Sequence, residues 1–226
     1  MALTVLKVGG SLSSEPKKLR CLMARLAEIA KTHRLVVVPG GGDFADTVRR
    51  LDKQFTLDRH VSHRMAILAM DQYGLLLSDL STGSVVVRQF DQALAACDSG
   101  NLAIFLPSRF MFEEDPLENS WAVTSDSIAL CIALRLGAER VLFVTDVDGV
   151  YTANPKNEKN AQLLKEVSIE ALTDLKMRTS IDSVVPRLLK KWPIECVVVN
   201  GFYSERVERL LDGTDAVSTL ISAGKP

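Results

Sequence analysis

Short runs rich in apolar and β-branched residues alternate along the chain with longer stretches in which apolar residues return every three or four positions. Leu3 to Val8, Leu35 to Val38, Ser84 to Arg88, Leu102 to Leu106, Val141 to Thr145 and Cys196 to Val199 are short and mostly rich in β-branched side chains, which predicts strands. "LVVVP" and "CVVVNG" are apolar at consecutive rather than alternate positions, so both faces of the sheet should be covered. Glu15 to Thr32 carries Leu19, Leu22, Leu26 and Ile29 on one side, as an amphipathic helix does. Asp43 to Leu51, Asp58 to Leu77, Gln89 to Cys97, Ser125 to Leu136 and Ser204 to Leu211 also read as helices, with short ones ending at Lys191. Within Asp58 to Leu77, Met65 and Leu68 are core positions and Gly74 is a stop signal. Strands separated by helices predict a mainly parallel, open sheet in a three-layer αβα sandwich, with residues 1–226 forming one α/β domain. "TANPKNEKN" reads as a surface loop.

Composition narrows the classes. The 226 residues carry 27 basic and 28 acidic side chains, a net charge of -1, so no basic excess points to nucleic acid or a membrane surface. No apolar run approaches the ~20 residues of a membrane helix, and the first apolar run is too short for a leader. Cys21, Cys97, Cys131 and Cys196 lie far apart with no metal-ligand spacing, which predicts reduced thiols in a cytosolic protein.

The chemistry starts at "LKVGGSLSS". Lys7 lies on an apolar strand ahead of Gly9, Gly10 and Ser11, and a buried ammonium needs an anion. Glycines beyond the strand leave backbone N–H groups to face that anion. "PGGGD", with Gly40, Gly41 and Gly42, repeats the arrangement at a second strand end, and Asn200-Gly201 marks a third. Ligands of parallel sheets bind beyond such ends, and helix N-termini favour anions. Neither the Walker pattern nor the dinucleotide fingerprint fits, and for the latter the first turn lacks the third glycine that seats the opening helix. Asp126, in "TSDSIALCIAL", either caps a helix or holds Lys7 by charge. In "TDVDGVYTANPK", Asp148-Gly149 is either a hairpin turn or part of a flap that lays Tyr151 against a base. His60 and His63 share a helix face. No third ligand presents itself, so a substrate wall or a structural role is preferred over a metal site.

"KVGGS", "PGGGD", "TSDSIA" and "VTDVDGVYTANPK", in this order, resemble the amino acid kinase superfamily, which includes acetylglutamate, aspartate, uridylate and isopentenyl phosphate kinases. The resemblance covers nearly the whole chain. It implies ATP-dependent phosphoryl transfer with Mg²⁺, an acceptor-binding N-terminal part, an ATP-binding C-terminal part and a homo-oligomer. By the same resemblance Lys7 contacts the transferring phosphoryl group and Asp126 organises the cations. Gly9, Gly10 and Ser11 line the phosphates, and Thr145, Asp146, Tyr151 and Asn154 surround the nucleotide. Gly41 and Gly42 approach the acceptor; His60 and His63, if they form the substrate wall that their shared helix face allows, would lie beside it. Arg187, in "SIDSVVPRLL", falls where many relatives carry a second lysine.

"HVSHRMAILAMDQYG" with "WAVTSDSIA" is similar to a smaller branch, kinases of methanofuran biosynthesis that convert an aminomethyl-furan-methyl phosphate to its diphosphate. The uridylate, isopentenyl phosphate and acetylglutamate signatures are absent, although those activities remain alternatives, as does a non-catalytic nucleotide-binding protein on the same fold. An acceptor with an ammonium and a ring could be selected by "SRFMFEEDPLENSW". Glu113, Glu114 and Asp115 would meet the cation there, and Phe110, Phe112 and Trp121 the ring, unless the segment is only a solvated acidic loop.

Overall fold

The computed structural model describes residues 2–153, 158, 160–174 and 181–222. Asn154 lies outside them. Among the described residues the chain builds β1 (Leu3–Val8), a 3-10 turn (Gly10–Ser14), α1 (Pro16–Ile29), β2 (Arg34–Pro39), α2 (Gly42–Phe55), α3 (Arg59–Asp79), β3 (Ser84–Val87), α4 (Phe90–Asp98), β4 (Leu102–Phe105), α5 (Ser108–Glu114) and α6 (Ser125–Leu136). There follow β5 (Arg140–Thr145), β6 (Glu166–Ser168), α7 (Ile169–Asp174), α8 (Val185–Lys191), β7 (Glu195–Asn200), α9 (Ser204–Leu211) and β8 (Ser218–Ser222).

One sheet runs β3-β4-β2-β1-β5-β7-β8-β6. All its pairs are parallel except β7 with β8. The expected three-layer sandwich is therefore present. β1 is buried along its whole length because helices cover both faces of the sheet. Leu3, Val5, Val38 and Phe143 join the apolar cluster under α4, α6 and α8. Leu6, Val8, Val37 and Val144 join the opposite cluster under α1 and α9. From β1 the chain steps to β2 on one side and later returns with β5 on the other. That reversal opens a crevice at the carboxyl ends of the strands.

Several sequence expectations need correction. Gly74 does not stop α3, which continues to Asp79. A Cβ there would press on Leu106 and on Pro39 Cγ, so the glycine serves close helix-to-sheet packing. Leu68 points outward at 47% exposure. Ser108–Glu114 is a helix rather than a loop, with the Asp71 carboxylate accepting from Ser108 N and Oγ at its start. Asp148-Gly149 is a bend and not a hairpin: the antiparallel bridge beyond it joins Tyr151 to Leu163. β6 and β8 were not anticipated, because they are short and half-covered at one edge of the sheet.

The two glycine turns touch each other. A Cβ on Gly10 would fall within the van der Waals envelope of Gly42 N and Cα, and Gly42 itself has φ +52°, a conformation that favours glycine. Backbone cannot rotate aside as a side-chain tip can. Gly10→Ala should therefore cost about 1–3 kcal/mol, read as a lower urea midpoint at unchanged m-value; an unaltered midpoint would show that the turns separate freely.

Candidate active site

Strand periodicity puts Lys7 on the same face as Leu3 and Val5, between Val38 of β2 and Phe143 of β5. Neither neighbour carries a charge to meet an ammonium. The counter-charge comes from α6, whose first turn lies over this face: Asp126 Oδ1 is 2.8 Å from Lys7 Nζ. Both residues are buried, at 9% and 4% exposure. Burial pushes the Asp126 carboxyl above the usual carboxylate range, Lys7 draws it back, and Asp182 pushes it up further. Asp126 is not the helix cap. That role belongs to Thr124, whose hydroxyl accepts from Asp126 N.

Beside this pair opens a cavity of about 630 Å³, lined by Lys7 but not by Asp126, within the range of small-molecule sites. Lys7, Gly10, Ser11, Gly41, Gly42, His63 and Asp146 all line it. Gly10 and Gly42 begin the 3-10 turn and α2, so their N–H groups have no acceptor within those helices. Gly9 is different. Its N–H donates to Val144 O at 2.8 Å and its carbonyl accepts from Tyr73 Oη, so its amide serves the sheet and is not left for an anion. Ser11 Oγ donates to Asp146 Oδ1 at 3.0 Å, and Thr145 Oγ1 donates to the same oxygen. These bonds tie the first glycine turn to the end of β5.

The remaining expected residues are spread more widely. Tyr151 lies outside the lining, within the influence of Asp148 and Arg206, and Asp148 accepts from Asn200 Nδ2 and Arg206 Nη1. His60 is exposed and not part of the wall. His63 is 6% exposed, its pKa is lowered chiefly by burial, and its Nε2 has no hydrogen-bond partner among the described residues. The structure does not bring Arg187 to the cavity. α8 docks through Val185, Pro186 and Leu189, which turns Arg187 to solvent, 3.4 Å from Glu118.

The acidic segment is also rearranged. Glu113 pairs with Arg109 and Glu114 with Arg135, and Phe110 is buried in the core against Phe90. Phe112 lies under Arg64. Trp121 alone of the three rings lines the cavity. Three α2 residues hold it there, at helical spacing. Its Nε1 donates to Asp52 at 2.7 Å, Arg49 stacks 5.0 Å from its ring centroid, and Arg49 is itself paired with Asp46. Asp46 and Arg49 line the cavity too. Sequence reading passed over both, because a charged helix face reads as solvated. It also passed over Asp182, although an Asp shortly ahead of Pro186 at a helix start is a capping signal.

The profile of the amino acid kinase family matches residues 2–200. The [5-(aminomethyl)furan-3-yl]methyl phosphate kinase of Methanocaldococcus jannaschii is 35% identical over 219 residues, covering 96% of each chain. The uridylate kinase of Methanospirillum hungatei is 25% identical, covering 98% of this chain and 95% of its own. The crystal structure of uridylate kinase from Archaeoglobus fulgidus superposes with a TM-score of 0.79 at 23% identity, over 98% of this chain and 100% of its own.

Proposed function

The chain belongs to the amino acid kinase family and is a phosphotransferase, and from that premise we propose that it transfers the γ-phosphoryl group of ATP to the phosphate of [5-(aminomethyl)furan-3-yl]methyl phosphate, giving the diphosphate and ADP. The observation that carries this reading is the buried Lys7–Asp126 pair, whose lysine lines one cavity with Gly10, Gly41 and Gly42, taken with 35% identity to a kinase of that acceptor.

The division of labour is the one the family resemblance implies, and the strand order accommodates it. The segments beyond β5 and β7, with Thr145, Asp146 and Tyr151, take the nucleotide, and its phosphates run along Gly10 and Ser11 toward Lys7. The acceptor enters from α2 and α3, with Gly41, Gly42 and His63 at its reacting end. Transfer breaks the bond from the γ-phosphorus to the bridging oxygen of ADP and forms one to an acceptor phosphate oxygen. That oxygen is already anionic near neutral pH, so no side chain need remove a proton, and a neutral His63 suffices as wall. What remains is positioning and neutralisation of charge spread over the transferring group. Lys7 supplies an ammonium that Asp126 keeps aimed, and the helix-start N–H groups supply dipoles.

Among the described residues no three His, Cys, Asp or Glu side chains cluster as a metal site. Mg²⁺ commonly needs only one or two carboxylates beside substrate phosphates, and Asp146 at the cavity wall fits that demand. Bound there, the ion would neutralise charge on the nucleotide's phosphate oxygens.

The acceptor's ring and ammonium fit the far wall. Trp121 offers a held aromatic surface, and Asp46, about one helical turn beyond Gly42, offers a carboxylate. Four free thiols and the lack of any helix long and apolar enough to cross a membrane among the described residues accord with a cytosolic enzyme. α3 exposes Val61, Leu68 and Leu75, seven residues apart. Such a stripe suits a self-complementary two-fold contact, and we place the homo-oligomer seam there.

ADP release should be seen with the furan phosphate and not with UMP, N-acetylglutamate or isopentenyl phosphate; release with none of them would defeat the kinase reading. Lys7→Ala should lower kcat by about a hundred- to a thousandfold, and near-normal turnover would remove Lys7 from the reaction. Asp46→Asn should raise the acceptor KM by about tenfold or more, the worth of one charge-assisted bond, with the ATP KM unchanged; an unaltered acceptor KM rules the carboxylate out. Sedimentation should show an assembly that Leu68→Glu with Leu75→Glu converts to monomer, and an unchanged sedimentation coefficient would place the seam elsewhere.

A further inference from the structure

Asp182 precedes α8, well away in sequence from the glycine turns, and it does not line the cavity. Its carboxylate is nonetheless among the most heavily bonded groups of the described residues. Oδ2 accepts from Thr124 N at 3.0 Å and Oγ1 at 2.8 Å, and from Ser127 N at 3.0 Å and Oγ at 2.8 Å. Oδ1 accepts from Val184 N at 2.9 Å and Val185 N at 3.1 Å. One carboxylate thus closes the first turn of α6 and the first turn of α8 together. The backbone completes the loop, because Asp182 N donates to Asp126 Oδ2 at 3.1 Å. Asp126 is then held at both oxygens: Oδ2 by Asp182 and Oδ1 by Lys7 at 2.8 Å.

We propose that Asp182 is a positioning residue for the phosphoryl transfer, fixing one oxygen of Asp126 so that the other is presented to Lys7, and locking Thr124 and Ser127 on either side of that carboxylate. The inference rests on the kinase reading above. A carboxylate that is 4% exposed and free to rotate would let the ammonium drift, and a displacement of about 1 Å at a reacting centre costs on the order of a hundredfold in rate. Thr124 lines the cavity, so the same anchor shapes the wall facing the reacting group. A bonded network of this kind holds its members more tightly than isolated pairs would. The charged groups facing Asp126 are Lys7 from β1 and Asp182 from the start of α8. Their opposed effects make Asp182 visible in the pH profile: its negative charge raises the Asp126 pKa.

The test is Asp182→Asn, assayed with ATP, Mg²⁺ and the furan phosphate. The amide keeps the shape but turns one acceptor end into a donor facing donors. kcat should fall by about ten- to a hundredfold while both KM values stay within about twofold, the pattern of an interaction used in the transition state. The acid limb of kcat, where Asp126 takes up a proton, should move to lower pH because the neighbouring negative charge is gone. A purely structural residue would lower the melting temperature and leave both the limb and kcat per folded molecule in place, and that outcome overturns the proposal. Should Asp182→Asn fail to fold, Ser127→Ala removes one donor and keeps the charge. It should lower kcat several-fold at constant KM, and an unchanged kcat again overturns the proposal. A wild-type protein that turns over no acceptor defeats the kinase reading itself; an active wild type with indifferent variants defeats only the role of Asp182.

Discussion

A lysine ammonium buried between β-strands exists only because a carboxylate meets it, and the rest of the site is arranged around that necessity. Lys7 has Val38 and Phe143 as its strand neighbours, so the partner must come from the layer above. α6 therefore has to begin over the end of β1, and Thr124 caps it there. Leaving either charge alone in such a place would cost about 3–5 kcal/mol. Pairing removes the cost, and the ammonium, still at the cavity wall, has capacity left for a phosphate oxygen.

The glycine turns complete the arrangement from the other side. They bring helix-start amides to the mouth of the crevice, and a phosphoryl group needs such fixed dipoles more than it needs a nucleophile or a base. The architecture thus separates two tasks. On the proposed reading, the segments after β1 and β2 handle phosphate, the group that every phosphotransferase must hold. On the same proposed reading, recognition of the acceptor's body falls to the outer turns of α2 and to Trp121, which Asp52 and Arg49 hold in place. Kinases of different acceptors can share the first set and differ in the second.

Much of this was legible in the sequence because its signals are local. Six short apolar-rich runs became six strands, and the helix from Ser125 to Leu136 has the boundaries its pattern implied. The need of Lys7 for an anion could be read because a charge inside an apolar run demands an explanation; Asp126 as that anion was one of two readings of its own segment, and the family resemblance implied it. Features set by distant contacts were not legible. Gly74 reads as a stop but is a packing contact with Leu106 and Pro39, which no local pattern records. Gly9 reads as an anion donor, yet its amide is spent on Val144. β8 pairs antiparallel with β7, and its alternating burial leaves too weak a signal in five residues. Asp182 and the Trp121 clasp join residues more than fifty positions apart. Arg187 was placed by analogy of position, and the packing of α8 turned it outward.

The contact between Gly10 and Gly42 also bears on how such a chain can diverge. A Cβ on Gly10 would strike the backbone of Gly42, and one on Gly40 would strike Gly10 N, so neither loop can acquire a side chain at this seam while the other stays as it is. Enlarging one would require the opposite loop to retreat first, and retreat would carry its amides away from the ligand. The two loops are thus tied to a shared history: insertions and exchanges accumulate on the outer helices, while this seam can change only if both halves are rebuilt at once.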